Sequence, residues 1–236
     1  MRLADVQRKT GLQKTIAFRL LKTLESAGFV EREPTTGHFQ IGVRAFEVGQ
    51  AYPRARSLAL RVRPHLERLV EGSPHMAYLA TLDGLEIVYL ASVEGSGPLR
   101  VHAAPGERNP AHATAAGKVL LAELPDEEVL DRARQFGLSQ LTPATITDPA
   151  RLVEHLGEVR ACGHALNLEE AYPGVGSIGA AIRDVSGKAI AGISLTYATS
   201  LLLPDEFPAW VERTLVAAAD VSAELTDISV AGLLPA

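Results

Sequence analysis

Of the 236 residues only one is a cysteine, Cys162. A single thiol closes no intrachain disulfide and cannot build a zinc site of clustered thiolates. Its position late in an expected helix suits a small buried side chain. Long apolar runs are missing as well. None approaches the roughly 18 residues of a membrane span, and none follows a basic amino terminus as in a secretory signal. The expected compartment is therefore the cytoplasm, with no membrane contact. Signatures of catalysis are equally scarce: there is no GxSxG elbow, and no motif surrounds the cysteine. His102, His112 and His164 could gather with Glu169 or Glu170, but their scattered spacing reads as surface or hydrogen-bonded histidines rather than metal ligands. No catalytic residue, metal or cofactor is expected.

What is present is a globular balance, with 47% hydrophobic and 22% charged residues, in a chain long enough for two modest domains. The net charge of -5 argues against a nucleic-acid partner, but its distribution argues for one. Residues 1–64 hold 12 Lys+Arg against 5 Asp+Glu, whereas the rest of the chain is strongly acidic. A basic head on an acidic body suits a module that alone must meet phosphates. Arg54, Arg56, Arg61 and Arg63 fall in a linker, so charge alone does not separate a DNA-docking head from a solvated linker.

Local pattern adds to the charge. Leu3–Lys9 reads as a short helix, broken at Thr10-Gly11-Leu12, where glycine can take the left-handed conformation of a sharp inter-helix turn. A second helix is expected over 13–27, with Ile16, Leu20, Leu24 and Ala27 as its apolar stripe and Gly28 at its end. Lys14, Phe18 and Lys22 take the opposite face, with Thr15 and Arg19 beside them. A hairpin follows, Phe29–Glu33 and His38–Gly42 around a turn at Pro34–Gly37. Helix, glycine turn, helix and hairpin form the plan of a winged helix-turn-helix. Gln13, Lys14, Thr15 and Phe18 would face base edges, and Arg19 and Lys22 would reach phosphates. The same plan can also serve as a protein-binding module.

Gly11–Glu25 (GLQKTIAFRLLKTLE), Gly28–Arg32 and Phe39–Gly42 resemble the DNA-reading helix and wing strands of the IclR family of bacterial transcriptional regulators. The resemblance extends over nearly the whole chain. It implies a mainly α winged helix-turn-helix with a β-hairpin wing at residues 1–42, a helical linker at 43–72, and a GAF-like α+β domain at 73–236. That last domain would hold an antiparallel sheet with flanking helices and bind an effector. Two departures stand out. Family members usually carry a further helix ahead of this motif, so the head is expected to be incomplete or late-started, leaving some apolar surface of the helix pair uncovered. His38 and Gln40 stand where the family often places arginines on the wing.

The linker stripes (Ala45, Phe46, Val48 and Gly49, then Leu58, Leu60, Val62, Leu66, Leu69 and Val70) are interrupted by Pro53 and Pro64. Beyond them, hairpins are expected at 76–93 and 178–197, a third strand at Leu99–Ala103, and helices at 115–123, 125–135, 149–161 and 207–225. The run Gly174-Val175-Gly176-Ser177-Ile178-Gly179 matches GxGxxG. It has a turn before it and a hairpin after it, so it reads as a turn beside a pocket rather than a dinucleotide fingerprint.

The strongest positive signal is Pro110–Ala122 (PAHATAAGKVLLA), a helix opened by small residues. Its bare backbone N–H groups could receive a carboxylate, and close packing on a sheet would demand the same small residues. This run resembles the family's sensor motif, as do Thr142–Thr147, Glu170, Pro173–Val175 and Gly192–Thr196. The resemblance implies a pocket with Thr114, Ala115 and Ala116 as the floor that takes the acid group. Val101 and Val175 would be apolar walls, and Asn167, Ser177, Ser194 and Thr196 polar contacts. Such an uncharged pocket favours an anion, so a small carboxylate, aromatic ones included, is expected, with His102 near enough to pair with it. The implied partners are double-stranded operator DNA, a small organic acid and further copies of the chain, as a dimer or tetramer. A rival reading makes the sensor half a metabolite-binding protein or enzyme whose head serves dimerisation only.

Overall fold

A computed structural model describes residues 1–50, 53–97, 101 and 103–226. The chain divides into two compact units, Met1–Arg56 and Ser57–Ala236.

The first unit runs α1 (Leu3–Thr10), α2 (Lys14–Ser26), β1 (Val30–Arg32), β2 (Phe39–Ile41) and α3 (Val43–Gln50). Gly11, at φ 69, ends α1 in the left-handed conformation and donates its N–H to the Gln7 carbonyl at 2.8 Å. The wing strands pair antiparallel, Val30 opposite Ile41 and Arg32 opposite Phe39. The buried side of α2 differs from expectation. Ala17 and Leu21 are its buried residues, while Ile16, Leu20 and Leu24 remain 47%, 50% and 41% exposed, and Ala27 is exposed too. Consecutive residues sit about 100° apart on a helix, so Leu20 and Leu21 open two different apolar faces. The partners in this unit pack on the second. Ile16, Leu20 and Leu24 thus form an exposed apolar stripe on α2.

Helix α4 (Pro53–Val70) starts on a proline, where the missing N–H costs nothing, and runs on through Pro64. From Leu58 onward it packs into the second unit, where Val62, Leu66, Leu69 and Val70 are buried. That unit is built on one antiparallel sheet, in the order β5-β4-β3-β8-β7-β6. Its strands are β3 (Met76–Asp83), β4 (Glu86–Glu94), β5 (Arg108–Pro110), β6 (His164–Leu168), β7 (Val175–Arg183) and β8 (Ala189–Ala198). Strand alternation splits the side chains into two cores. Ala77, Leu79, Ile178, Ile193 and Leu195 face α4 and α8 (Phe207–Thr226). Met76, Tyr78, Ala80 and Ile87 face the opposite side, with α5 (Ala115–Leu121), α6 (Asp126–Phe136) and α7 (Pro149–Cys162).

Several sequence expectations need correction. Residues 99, 100 and 102 of the expected strand Leu99–Ala103 lie outside the described residues. Val101 and Ala103 are not in a strand, and Arg108–Pro110 pairs with β4 instead. The sheet also gains β6, which carries no strong strand pattern in its sequence. The glycine motif is not a turn: only Gly174, at φ 74, is in one, and Gly176 and Gly179 lie inside β7. Cys162 closes α7 as expected but is exposed rather than buried, while Val159 of the same turn is the residue that enters the core.

Candidate functional site

The site begins with a helix laid directly on a sheet. A 3-10 turn at Ala111–Ala113 leads into Thr114, whose hydroxyl accepts the Gly117 N–H at 3.2 Å and caps α5. Side chains beneath α5 are reduced to almost nothing. A Cβ on Gly179 would lie 2.5 Å from the Ala115 carbonyl carbon, and one on Gly192 would lie 2.9 Å from the Ala116 oxygen. The close-packing account of the small residues therefore holds, and it is also what brings Thr114, Ala115 and Ala116 down to the sheet.

The strand register then lines up the polar groups. Asn167 pairs with Ser177, and Ser177 pairs with Thr196, while Ser194 lies opposite Tyr78 and Gly179. All nine residues that the sequence nominated, Val101, Thr114, Ala115, Ala116, Asn167, Val175, Ser177, Ser194 and Thr196, line one cavity. Tyr78, Ile87, Tyr89, Asn109, Ala171 and Tyr172 complete it and were not foreseen. The two inner tyrosines were legible only as strand positions, since the register shift at Leu79/Ala80 that sets Tyr89 opposite Ala80 has no sequence signature. His102 lies outside the described residues.

Among the described residues no carboxylate, amine or imidazole lines the cavity. Burial pushes the Tyr78 and Tyr89 phenols above their ordinary pKa, so both stay neutral donors. Tyr78 donates to the Val101 carbonyl at 2.8 Å, and Tyr89 accepts from the Asn109 amide at 3.1 Å, leaving its own proton to give. The volume open to water-sized molecules is about 20 Å³, room for about one water.

Charged groups stand behind this wall. Lys118, wholly buried on α5, places its ammonium 2.5 Å from Glu170 Oε1, 3.1 Å from the Leu166 carbonyl and 3.3 Å from His155 Nε2. Burial is the main force lowering the Lys118 pKa, opposed by Glu170. His112 is buried with Nε2 on the Ser139 carbonyl at 3.1 Å, and desolvation lowers its pKa as well.

On the first unit, Gln13, Lys14, Thr15, Phe18, Arg19 and Lys22 are all exposed along α2. Lys22 reaches Glu25 at 2.8 Å on the same helix. This leaves one basic face of the second helix of a helix-turn-helix open to solvent.

A winged helix-turn-helix in one unit, and a sheet domain with a small cavity of mixed polar and apolar lining in the other, define a transcriptional regulator with an effector-binding domain. The comparisons with known proteins agree. The model of the IclR helix-turn-helix domain matches residues 1–34, and that of the bacterial transcriptional regulator IclR C-terminal region matches residues 50–223. The HTH-type transcriptional repressor AllR of Klebsiella pneumoniae is 36% identical over 94% of this chain and 82% of its own length. The HTH-type transcriptional regulator BhcR of Paracoccus denitrificans is 34% identical over 93% of this chain and 79% of its own. An IclR homologue from Microbacterium hydrocarbonoxydans, complexed with 4-hydroxybenzoate, has the same fold with a TM-score of 0.78 at 25% identity, over 97% of this chain and 92% of that one. The chain belongs to the IclR family of bacterial transcriptional regulators.

Proposed function

We propose that residues 1–42 read double-stranded operator DNA, that 43–72 connect, and that 73–236 bind a small organic acid which modulates that reading. The observation that carries the proposal is the cavity lining: hydroxyls, two amides, and aromatic and aliphatic groups, with no negative charge among the described residues to repel an anion. The related regulator solved with 4-hydroxybenzoate supports a carboxylate as the ligand class. Thr114, Ala115 and Ala116 form the floor for the acid group, Val101 and Val175 the walls, and Asn167, Ser177, Ser194 and Thr196 the polar contacts. A regulator is favoured over an enzyme because the relatives of this chain are transcriptional regulators. Known ligand cavities are roughly 300 Å³ or more, so an organic acid must open this one, and binding is then coupled to a change of conformation. On the DNA side, Gln13, Lys14, Thr15 and Phe18 meet base edges while Arg19 and Lys22 meet phosphates. Each reading helix is short, which calls for paired copies of the chain, as a dimer or tetramer in the cytoplasm. Among the described residues no helix is long and apolar enough to cross a membrane.

Fluorescence anisotropy with the DNA upstream of the protein's own gene tests the head. Affinity should fall steeply with salt, and Lys14→Ala with Arg19→Ala should reduce the log–log salt slope by about 1 to 2. A binding constant indifferent to salt, or to the double substitution, would refute the DNA-reading role and favour a head used for pairing alone.

A further inference from the structure

Asn167 is 3% exposed, and its amide is fixed by the chain that follows it. The Glu170 backbone N–H donates to Asn167 Oδ1 at 2.7 Å. A main-chain N–H can only donate, so the amide oxygen must face Glu170, which leaves Nδ2 as the polar atom Asn167 offers the cavity. The structure gives Nδ2 no partner among the described residues.

The segment holding that oxygen is itself anchored. The Glu170 carbonyl accepts from Thr145 Oγ1 at 2.7 Å, and the Glu170 carboxylate meets the Lys118 ammonium at 2.5 Å. The same ammonium donates to the carbonyl of Leu166 at 3.1 Å, the residue just before Asn167. One buried cation therefore grips the chain on both sides of Asn167, from a helix whose first residues form the cavity floor. Glu170 Oε2 has no hydrogen-bond partner among the described residues, so the Oε1 contact sets the carboxylate's orientation. A buried ion pair is weak evidence for stability, because well-packed apolar side chains can replace one at little cost. Orienting a neighbour gives it a reason to be there.

We infer that Lys118 and Glu170 are a positioning pair for Asn167, and that Asn167 is the specificity-determining donor of the cavity, turned to give its NH2 hydrogens to an anionic ligand. The inference rests on the reading of the cavity as a carboxylate site. It adds one amide's orientation to the floor as a source of the acid preference, with no cationic side chain among the described residues that line the cavity.

The test uses the full chain, calorimetry, and pyruvate, butyrate and 4-hydroxybenzoate as probes. At least one should bind the unaltered protein. Asn167→Asp keeps an oxygen for the Glu170 N–H but turns a second oxygen into the cavity, so affinity for that probe should drop at least about tenfold at pH 8. It should recover as the pH is lowered and the new carboxyl gains a proton to donate, beyond any change the unaltered protein shows from His112 and His155. Lys118→Met with Glu170→Leu should keep the fold, read by near-ultraviolet circular dichroism and melting, yet lose a similar factor in affinity. Equal binding by Asn167→Asp at every pH, or full affinity in a folded double variant, would overturn the inference while leaving the carboxylate site standing. Binding of none of the three probes by the unaltered protein would overturn the site reading, and this inference with it. If the double variant does not fold, the Asn167→Asp pH profile decides alone.

Discussion

Gly179 and Gly157 allow the same substitution to be made with opposite expected signs. At Gly179 an added methyl would sit 2.5 Å from the Ala115 carbonyl carbon, 2.6 Å from its oxygen and 2.8 Å from the Ala116 nitrogen. These are backbone atoms of a helix buried against the sheet, so no flexible side chain can give way. Ordinary contact would require α5 to retreat by about 1 Å, and overpacking of this kind costs about 1–3 kcal/mol. Gly157 lies within α7, and an added Cβ there would meet nothing within 4 Å. Alanine should therefore gain about 0.5–1 kcal/mol at that site by removing the backbone freedom of glycine from the unfolded chain. Urea unfolding measures both, with the midpoint falling for Gly179→Ala, rising for Gly157→Ala, and the slope unchanged. Because the retreat moves Thr114–Ala116, Gly179→Ala should also weaken any carboxylate that binds the unaltered protein. A Gly179→Ala protein as stable as its parent would refute the claim that α5 rests on the sheet by backbone contact.

Acid should destabilise the second unit before its carboxylates titrate. Burial lowers the pKa of His75 and His112 from the ordinary value of 6.5, so the folded chain holds fewer protons than the unfolded chain just below that pH. Their contribution is fully present above about pH 6.5 and is lost as the pH falls toward their folded values, at up to about 1.4 kcal/mol per unit for each histidine. Unfolding midpoints that stay flat from pH 8 to 5 would contradict this. On the wing, Gln40 is exposed in β2 and reaches Glu31 at 3.3 Å. Gln40→Arg should tighten DNA binding at low salt and steepen the salt slope by about 0.9, the effect of one added phosphate contact. An unchanged slope would mean that this edge of the wing does not reach the backbone.

How far the sequence could be read depended on whether a signal was local or needed a partner. Helix positions and the glycine turn at Gly11 follow from periodicity and backbone sterics within a few residues, and the structure has them. Which face of α2 is buried does not follow in the same way. Leu20 and Leu21 are adjacent and equally apolar, and the choice between them was made by what packs there. β6 was missed for a related reason: its sequence, HALNL, is short and mixed, and it becomes a strand by pairing with β7. The nine cavity residues were legible through the family resemblance rather than through any residue pattern. Hydroxyls on alternate strand positions look like an ordinary solvated sheet face. What marks them as a site is that Ser177, Ser194 and Thr196 are buried, as are their neighbours Ile178, Ile193 and Leu195 on the other face.

The small-residue helix was the place where a packing account and a binding account competed, and the geometry makes the second depend on the first. Without glycine at 179 and 192, α5 could not approach the strands, and Thr114–Ala116 could not share a wall with Ser177 and Ser194. The same closeness leaves only about 20 Å³ open. A ligand of even a few carbon atoms must therefore displace something. The opposite wall is the better candidate to move. Glu169 there is held at φ 61, a conformation that costs a non-glycine residue about 1 kcal/mol or more. Its carboxylate ties Gly174 and Thr199 at 3.0 and 3.1 Å, bonds that water can replace. Lifting α5 would instead disturb the core beneath it, whereas Ala171–Gly174 can lift while Glu170 stays on Lys118. Chain strain relieved on opening is free energy returned to binding. The stretch from Ala171 to Gly174, beyond the Lys118–Glu170 pair, should therefore be the first to lose amide-exchange protection when a carboxylate binds, ahead of α5. Loss of protection in α5 first would show that the floor is the moving part.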